Sequence, residues 1–368
     1  MIIKNGLVFG EDRTFTEKDL FIENGMITDS LENVSDRTEM DAKGLYVIPG
    51  LVDVHSHGAC GYDFSDGDAD GVLKVLEYQR AHGITSYCPT SMTLPKEKLM
   101  KIFATAVEAE ERASEDAAWL AGINMEGPFL DPAKKGAHVG KYIIDPDVEF
   151  FRECNEASGG RIRLVTLAPN TPGAIDFIRK IRQETVISLG HTSAAYPICR
   201  EAIQAGADHV THLYNAMPPF AHRDPGLVGA AAEDENCMVE LISDGIHIHE
   251  SMVRATFQLF PGRVVLVSDS MRAAGMADGT YELGGQQVTV AGKLATLEDG
   301  TIAGSVTNLY DGMKTAVRFG IPLEDAVAAA TINAAKSIGI DDKVGSLVPG
   351  KKADILLVDK DLNLVKVI

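Results

Sequence analysis

Short apolar runs rich in β-branched residues alternate with longer stretches of helical periodicity between residue 51 and about residue 340. This alternation is typical of repeated βα units built around a parallel sheet. The predicted strands span 51–57, 84–90, 120–126, 162–168, 185–190, 208–213, 238–243 and 264–269. The predicted helices between them span 69–81, 95–112, 172–183, 195–205 and 249–260. Eight such units predict an α/β fold, a closed (β/α)8 barrel of the TIM type.

The pattern changes after the eighth predicted strand. Residues 279–303 break the alternation, and the polar–apolar order of 281–290 predicts a β-hairpin inserted in the loop that follows the strand. Two further helices are predicted at 309–319 and 323–338. We therefore expect a barrel that carries a β insertion near its last strand.

The two ends of the chain resemble each other and differ from the middle. Short β runs separated by Asn-Gly turns occupy 2–9, 19–27 and 45–48, and residues 344–359 are predicted as strand, Pro-Gly turn and strand, with another strand at 362–368. We expect both ends to form one small discontinuous β-sandwich domain. The predicted division is 1–49 and 341–368 for that domain and 50–340 for the barrel.

Composition and charge narrow the class of partner. The chain has 368 residues and a formal net charge of −19, which argues against nucleic acid or an anionic membrane as a partner. No apolar run approaches the roughly 18 residues that a membrane-spanning helix needs. The N-terminal residues show no secretory signal pattern, so we expect a cytoplasmic protein. The five cysteines contain no Cys-x-x-Cys pair and favour neither a disulfide framework nor a thiolate zinc site.

Candidate chemistry begins at the first predicted barrel strand. His55 and His57 lie two residues apart and share one strand face with Asp53, so both imidazoles can reach one ion. Gly58 ends the strand, which places the two histidines at its carboxyl end, where barrels of this type keep their active sites. Two hydrogen-bonded structural histidines would explain this segment alone equally well.

Four more candidates follow other predicted strands. Glu126 ends the third, His191 follows the fifth, His212 ends the sixth and Asp269 ends the eighth. Imidazole and carboxylate ligands suit zinc, iron, nickel or manganese, whereas magnesium and calcium prefer all-oxygen sites. The convergence of these residues with His55 and His57 on one rim predicts a metal centre. His138 and His247 lie in loops over the rim, where substrate contact and ordinary solvent exposure are both open.

Sequence motifs along nearly the whole chain identify a family. The segments 49–57 and 350–359 resemble general marks of the amidohydrolase superfamily, and more specific motifs occur at 126–129, 190–192, 212–218, 244–247 and 268–275. Together they resemble the N-acetylglucosamine-6-phosphate deacetylases of that superfamily.

The resemblance implies a role for each matching residue. It implies that Glu126, His191 and His212 hold the principal metal, that Asp269 is the catalytic acid and base, and that His138, in its protonated form, polarises the amide carbonyl. It also implies a homodimer. The sugar phosphate would be bound by Asn215, the backbone of Ala216, His247 and, from across the dimer interface, Arg223.

The number and kind of metal ions stay open. Some similar proteins lack the His-x-His pair and use a single metal, but this chain keeps His55 and His57. One ion, or two with Glu126 bridging and Asp269 near the second, fits the pattern. Zinc is the first expectation, with iron, nickel, manganese or cobalt as alternatives.

The implied reaction is hydrolysis of the acetamide of N-acetylglucosamine 6-phosphate, a small N-acetylated amino-sugar phosphate. Its galacto epimer would leave the same sequence pattern. A cyclic amidohydrolase of the same superfamily is a further alternative, although such enzymes usually carry a carboxylated lysine on the fourth strand and 162–168 contains none. A barrel retained only as a scaffold would be expected to have lost some ligands, and here every ligand position is filled.

Overall fold

The computed structural model describes all residues 1–368. Its strands are β1 Ile2–Phe9, β2 Phe15–Glu23, β3 Met26–Thr28, β4 Glu39–Asp41, β5 Tyr46–Pro49, β6 Leu51–Ser56, β7 Gly58–Ala59, β8 Tyr62–Asp63, β9 Ile84–Ser91, β10 Trp119–Leu120, β11 Ile123–Glu126, β12 Ile162–Leu167, β13 Val186–Leu189, β14 His209–Val210, β15 Met238–Ile242, β16 Val264–Val267, β17 Gly279–Leu283, β18 Gln286–Ala291, β19 Leu294–Thr296, β20 Ile355–Val358 and β21 Leu364–Val367. Its helices are α1 Ala69–Ala81, α2 Lys96–Arg112, α3 Val148–Ala157, α4 Ala174–Ile181, α5 Tyr196–Ala205, α6 Gly226–Ala232, α7 Glu250–Leu259, α8 Leu309–Arg318, α9 Leu323–Ala330 and α10 Ile332–Ser337. No helix is both long enough and apolar enough to span a membrane.

Parallel strands form the predicted barrel. The order is β6, β9, β11, β12, β13, β14, β15 and β16, with β10 also paired to β9. All eight predicted strands are confirmed. The third is divided into β10 and β11, which pair with successive parts of β9.

Backbone hydrogen bonds close the ring between the last strand and the first. The amide of Asp269 donates to the carbonyl oxygen of His55 at 2.9 Å, and the amide of His57 donates to the carbonyl oxygen of Ser270 at 2.8 Å. Both bonds lie beyond or at the carboxyl ends of β16 and β6. The barrel therefore closes at the rim where the predicted ligands lie.

Amphipathic helices cover the outside of the barrel. In α2 the buried residues Leu99, Ile102, Phe103 and Ala106 recur at helical spacing and so form one apolar face. The strands of the barrel are buried on both sides; β6 and β9 are buried along their whole length. Near-continuous apolar strands and one-sided helices are what a parallel sheet enclosed by helices requires.

The insertion after the eighth strand is an antiparallel sheet. The predicted hairpin is confirmed as β17 and β18, and β19 adds a third strand that the pattern did not predict. The predicted helix 323–338 is interrupted at Thr331, whose backbone angles are φ −131° and ψ −92°. Helix α3 was also not predicted, although Asp147 caps it by accepting bonds from the next helical amides.

Strands from both ends of the chain form the small β unit. Its seven strands belong to one sheet in the order β21, β20, β5, β1, β2 and β3, with β4 also paired to β1. A core of 11 buried apolar residues lies within it. The predicted strand near 344–348 is wrong. That segment forms turns because Gly345 adopts φ +85°, and a Cβ there would lie 2.8 Å from Ala335 Cβ.

Gly50 is the single residue between β5 of the small sheet and β6 of the barrel. A Cβ at this position would lie 2.1 Å from Thr85 Oγ1, so only glycine fits without a shift of β9. Leu51 and Thr85 are at the amino ends of their strands. The small sheet therefore joins the barrel at the end opposite to the predicted ligands.

Candidate active site and metal centre

The six predicted metal ligands converge at the carboxyl-end rim in two groups. One group is His55, His57 and Asp269, and the other is Glu126, His191 and His212. Within each group the ligand atoms lie within 4.8 Å of one another, and all six residues are buried. The spacing that placed them at strand ends thus brings them together in space.

Glu126 lies between the two groups. Its Oε1 is 3.1 Å from Nε2 of both His191 and His212. Its Oε2 is 3.3 Å from Nε2 of His57 and 3.5 Å from Nε2 of His55. One carboxylate therefore faces all four imidazoles, which is the arrangement that a bridging ligand needs.

Backbone conformation distinguishes three of the candidate ligands. His191, His212 and Asp269 have φ values of 45°, 26° and 45°. Each residue lies two positions beyond the end of its strand. Left-handed backbone is uncommon for residues other than glycine, and such strain concentrates at functional sites. The sharp turn after each strand is therefore a local feature of the site.

Hydrogen bonds on the outer side fix two of the rings. His191 Nδ1 is 2.8 Å from the carbonyl oxygen of Lys134, and His57 Nδ1 is 3.1 Å from that of Thr90. Because a carbonyl oxygen only accepts, each Nδ1 carries a proton and each Nε2 faces inward, where its lone pair would be available to a metal ion.

The inward-facing nitrogens suit a cation. Nε2 of His191 and Nε2 of His212 are only 3.0 Å apart, and the fully buried Nε2 of His55 has no hydrogen-bond partner. Buried polar atoms rarely lack partners, and a set of imidazole and carboxylate donors is what zinc and related ions prefer. The residues at this rim therefore fit one or two divalent ions.

The electrostatics of the two ligand groups agree with this interpretation. Burial lowers the pKa of His57, but hydrogen bonds from its ring to Asp269 and Glu126 more than offset that effect and raise it to about 10. Burial raises the pKa of Asp269, but the charge of His55 and the contacts with His57 outweigh it and lower the pKa to about 2. Protons on the histidines thus balance the carboxylates, and a bound cation would release them.

His138 lies against the same carboxylate. The backbone amide of Thr93 donates to His138 Nδ1 at 3.1 Å, so the proton of the ring is on Nε2, which faces Glu126 Oε2 at 3.4 Å. Burial lowers the pKa of His138 to about 4 despite the attraction of Glu126. The expectation of a protonated His138 is therefore wrong, because a neutral ring already presents a donor to the site.

A cavity of about 390 Å³ opens over the two ligand groups. Asn215, Ala216 and His247 line it, together with the apolar side chains of Met92 and Leu283. The cavity therefore combines polar groups with an apolar wall and is large enough for a small ligand.

His247 is fixed in this wall by Asp244. Its Nδ1 is 2.8 Å from Asp244 Oδ2, and its backbone amide donates to Asp244 Oδ1 at 3.0 Å. Burial lowers the pKa of His247, but the hydrogen bond and charge of Asp244 outweigh that effect and raise it. A ring whose pKa is raised holds its proton more readily and suits an anionic group of a ligand.

Arg223 is not brought to the site within one chain. Its side chain is exposed and it is absent from the cavity lining. A role for Arg223 across a subunit interface stays a prediction.

Glu240 was missed by the sequence reasoning. This carboxylate of β15 is fully buried, and its Oε2 lies 2.8 Å from His55 Nδ1. A single charged residue within the apolar run Met-Val-Glu-Leu-Ile was the available signal. The carbonyl oxygens of Lys134 and Thr90 left no such signal, because every residue has a carbonyl.

Comparisons with known proteins show which family this chain matches and which proteins it resembles. The family model described as amidohydrolase family matches residues 46–368. The N-acetylglucosamine-6-phosphate deacetylase of Bacillus subtilis is 39% identical over 325 residues, which cover 87% of this chain and 82% of that protein. The N-acetylgalactosamine-6-phosphate deacetylase of Escherichia coli is 33% identical over 332 residues, 90% of this chain and 87% of that protein. A mutant N-acetyl-D-glucosamine-6-phosphate deacetylase of Mycobacterium smegmatis, solved in complex with N-acetyl-D-glucosamine-6-phosphate, superposes with a TM-score of 0.91 at 31% identity and covers 100% of this chain and 97% of that one.

Proposed function

The chain belongs to the amidohydrolase family, and we propose that it hydrolyses the acetamide of N-acetylglucosamine 6-phosphate to glucosamine 6-phosphate and acetate. The observation that carries this proposal is the position of Glu126, whose two oxygens lie 3.1 Å to 3.5 Å from four imidazoles of two ligand groups. The names and extent of the relatives support the same substrate class.

We assign the metal to residues of both groups. Glu126, His191 and His212 would hold the principal ion, and His55, His57 and Asp269 would hold a second one, with zinc as the first expectation. A bound divalent ion lowers the pKa of water to roughly 7 and polarises a carbonyl oxygen, which is the chemistry that amide hydrolysis at neutral pH requires. Iron, nickel, manganese or cobalt would serve in the same donor set.

Asp269 acts as the base and then as the acid in this proposal. Its lowered pKa keeps the carboxylate ionised at neutral pH, ready to accept a proton from the attacking water. When the carbon–nitrogen bond breaks, Asp269 passes that proton to the departing amine nitrogen of the sugar. The water oxygen stays on the acetyl carbon, so acetate and the free amine are the products.

His138 stabilises the developing negative charge on the acetyl oxygen. Its Nε2 proton faces the site because Nδ1 already accepts a bond from Thr93. A donor held in place before the reaction lowers the barrier more than one that must reorient. The apolar side chains of Met92 and Leu283 exclude water on this side of the cavity.

The sugar phosphate would lie toward His247. His247, whose pKa is raised by Asp244, lines the cavity together with Asn215 and Ala216 in one chain. We propose that Arg223 of a second subunit completes the phosphate site, which makes the active form a homodimer. A phosphorylated sugar carries charge that disfavours unaided passage through a bilayer, so we also propose a cytoplasmic location.

The galacto epimer is the second candidate substrate. A relative named for N-acetylgalactosamine 6-phosphate is 33% identical to this chain. Both substrates offer the same acetamide and phosphate and differ in the orientation of one hydroxyl. A cyclic amidohydrolase is less well supported, because β12, the fourth barrel strand, contains no lysine.

Acetate release tests the proposal directly. The metal-loaded protein is assayed with both N-acetylated sugar phosphates, with unphosphorylated N-acetylglucosamine and with a cyclic amide. We expect the highest kcat/KM for N-acetylglucosamine 6-phosphate and loss of activity after chelation. Faster turnover of the galacto epimer would assign the second candidate, and turnover of the cyclic amide alone would reject deacetylation.

The number of ions is tested by replacing His55 and His57 together with asparagine. The double variant should lose one ion while Glu126, His191 and His212 keep the other. Elemental analysis after dialysis measures the metal content per chain. Equal metal content in the variant and the unmodified protein would contradict a second site at His55 and His57.

A further inference from the structure

Glu240 is the one carboxylate that contacts both ligand groups from behind. Its Oε2 lies 2.8 Å from His55 Nδ1 and accepts the backbone amide of His212 at 2.9 Å. Its carbonyl oxygen accepts the amide of Leu213, also at 2.9 Å. The side chain is fully buried and does not line the substrate cavity.

We propose that Glu240 is a positioning residue that orients one ligand from each group and strengthens ion binding at His55. This inference rests on the proposed metal centre and not on the identity of the substrate. Glu240 is not a catalytic residue, because it contacts His55 and His212 and not the substrate cavity.

The contact with His55 acts on the second ion. A carboxylate accepts from Nδ1–H, which leaves the lone pair of His55 Nε2 directed at the site, where that atom has no other partner. The negative charge behind the ring also makes the imidazole a better electron donor. Outer carboxylates of this kind commonly contribute about 10- to 100-fold to metal affinity.

The contact with His212 acts on the principal ion. His212 has φ 26°, outside the ordinary range for a residue with a side chain. The bonds from His212 and Leu213 to Glu240 fix two consecutive amides of this turn. Loss of both side-chain oxygens would release the His212 amide while the backbone bond from Leu213 remains, so the ring of His212 would be held less firmly against Glu126.

Packing alone does not explain a carboxylate at this position. Met238 and Ile242, which share a strand face with Glu240 in β15, are apolar, so an apolar side chain would suit this face. Glu240 forms no ion pair with lysine or arginine; its nearest ionisable partners are His55 and, at 3.9 Å, His209. A buried charge without compensation is strongly unfavourable, and cations held by the two ligand groups would supply the compensation.

Two substitutions separate the two contacts. Glu240→Gln removes the charge but keeps an oxygen for the His212 amide, and Glu240→Leu removes both. In calorimetric titrations of the metal-free protein with Zn²⁺, the Gln variant should bind the second ion about 10- to 100-fold more weakly and the first ion almost unchanged. The Leu variant should weaken both ions.

Asp354→Asn is the matched control. Asp354 is also a largely buried carboxylate, but it precedes β20 of the small sheet, at the end of the barrel opposite to the ligands, and lies 3.9 Å from Arg80. This variant should alter thermal stability without changing either Zn²⁺ affinity. If the Glu240 variants also lose stability but bind both ions as tightly as the unmodified protein does, Glu240 is merely structural and the proposal is overturned.

A measurement on the unmodified protein keeps the test independent of folding of the variants. Nitrogen-15 NMR of the Zn²⁺-loaded protein should show His55 protonated at Nδ1 and metal-bound at Nε2. The opposite tautomer would overturn the proposal. Ion binding with the expected pattern but without acetate release would reject the proposed reaction and leave the role of Glu240 supported.

Discussion

Asp269 combines three properties: its backbone is left-handed, its pKa is lowered, and its carboxylate contacts both histidines of the first barrel strand. Its carboxylate is 3.3 Å from His57 Nε2 and 3.7 Å from His55 Nε2. A carboxylate so close to two imidazoles and to the proposed ions is ionised when substrate arrives. Its low pKa makes Asp269 a weak base and, once protonated, a strong acid, so a bound ion would have to make the attacking water more acidic.

Replacing Asp269 with asparagine tests this role. An amide cannot accept the proton of the water, so acetate release should fall by about 10²- to 10⁴-fold. The principal ion should stay bound, which elemental analysis checks in the same preparation. Activity within about tenfold of the unmodified enzyme, or roughly 1.4 kcal/mol of barrier, would show that Asp269 is not the base.

The residues that the sequence predicted as ligands are histidines and carboxylates, which are uncommon at the ends of apolar strands. His55, His57, Glu126, His191, His212 and Asp269 all follow that rule. The contacts behind them depend on which strands are neighbours and on backbone carbonyl groups. Neither property leaves a mark in one sequence, which is why the carbonyl of Lys134 could not be predicted.

Among the elements, β6 begins immediately after Gly50, and this junction leaves no space for a side chain. Gly50→Ala should lower the free energy of unfolding by about 1–3 kcal/mol, because the new methyl group overlaps Thr85 in β9. Denaturant unfolding measures the change. Gly279→Ala in β17 is the control, since its nearest neighbour would be 3.6 Å away, in ordinary contact. Equal effects of the two changes would contradict the packing argument.

The inserted sheet contacts the loop that carries His138. Gln286 in β18 donates a side-chain hydrogen bond to the carbonyl oxygen of Ala137. Gln286→Ala should lower kcat by about two- to tenfold through a looser His138, since one hydrogen bond contributes about 0.5–1.5 kcal/mol. The exposed neighbour Gln287 provides the control variant Gln287→Ala, which should leave kcat unchanged. A similar loss in both would mean that the insertion acts by stability alone.

Element prediction succeeded where the hydrophobic period was regular. Helix α1 has the predicted bounds, and all barrel strands are present. The predicted helix 323–338 failed at Thr331, and the predicted strand near 344–348 failed at Gly345, because each backbone conformation is set by tertiary packing. The hydrophobic period continues through these residues, so it does not indicate where the helix or strand is interrupted.

At the scale of the whole molecule, Arg223 would bind the substrate phosphate only in the proposed dimer. Arg223→Ala should raise KM for N-acetylglucosamine 6-phosphate by about tenfold or more, the value of a charge-assisted hydrogen bond. Unphosphorylated N-acetylglucosamine should be hydrolysed at an unchanged rate, because it has no phosphate to lose. An equal loss with both substrates would reject the phosphate role.

Hybrid dimers test whether Arg223 acts across the interface. In a mixed dimer of Arg223→Ala and Asp269→Asn chains, one of the two sites has both an intact Asp269 and, from the partner, an intact Arg223. At substrate concentrations well below KM, verified hybrids should be more active than either parent dimer. No recovery would place the action of Arg223 within its own chain or exclude it.

The division into a barrel and a small sheet could be predicted because the hydrophobic pattern of the middle of the chain differs from that of its two ends. Alternating βα units mark the barrel, and short strands at both ends mark the small sheet. The exact division at 49/50 and 340/341 stays a prediction. Limited proteolysis would test this division. The protease should cleave the exposed turns after α10 earlier than it cleaves the barrel.

The barrel closes through the backbone bond between Asp269 and His55, so the site of the second ion would form only when the barrel is assembled. Glu126, His191 and His212 come from the third, fifth and sixth strands, so their group can form from a partial barrel. The group of His55, His57 and Asp269 needs the first and the last strand in register. During synthesis or refolding, uptake of an ion there would mark the moment at which the two ends of the barrel meet, and a bound ion would then resist their separation.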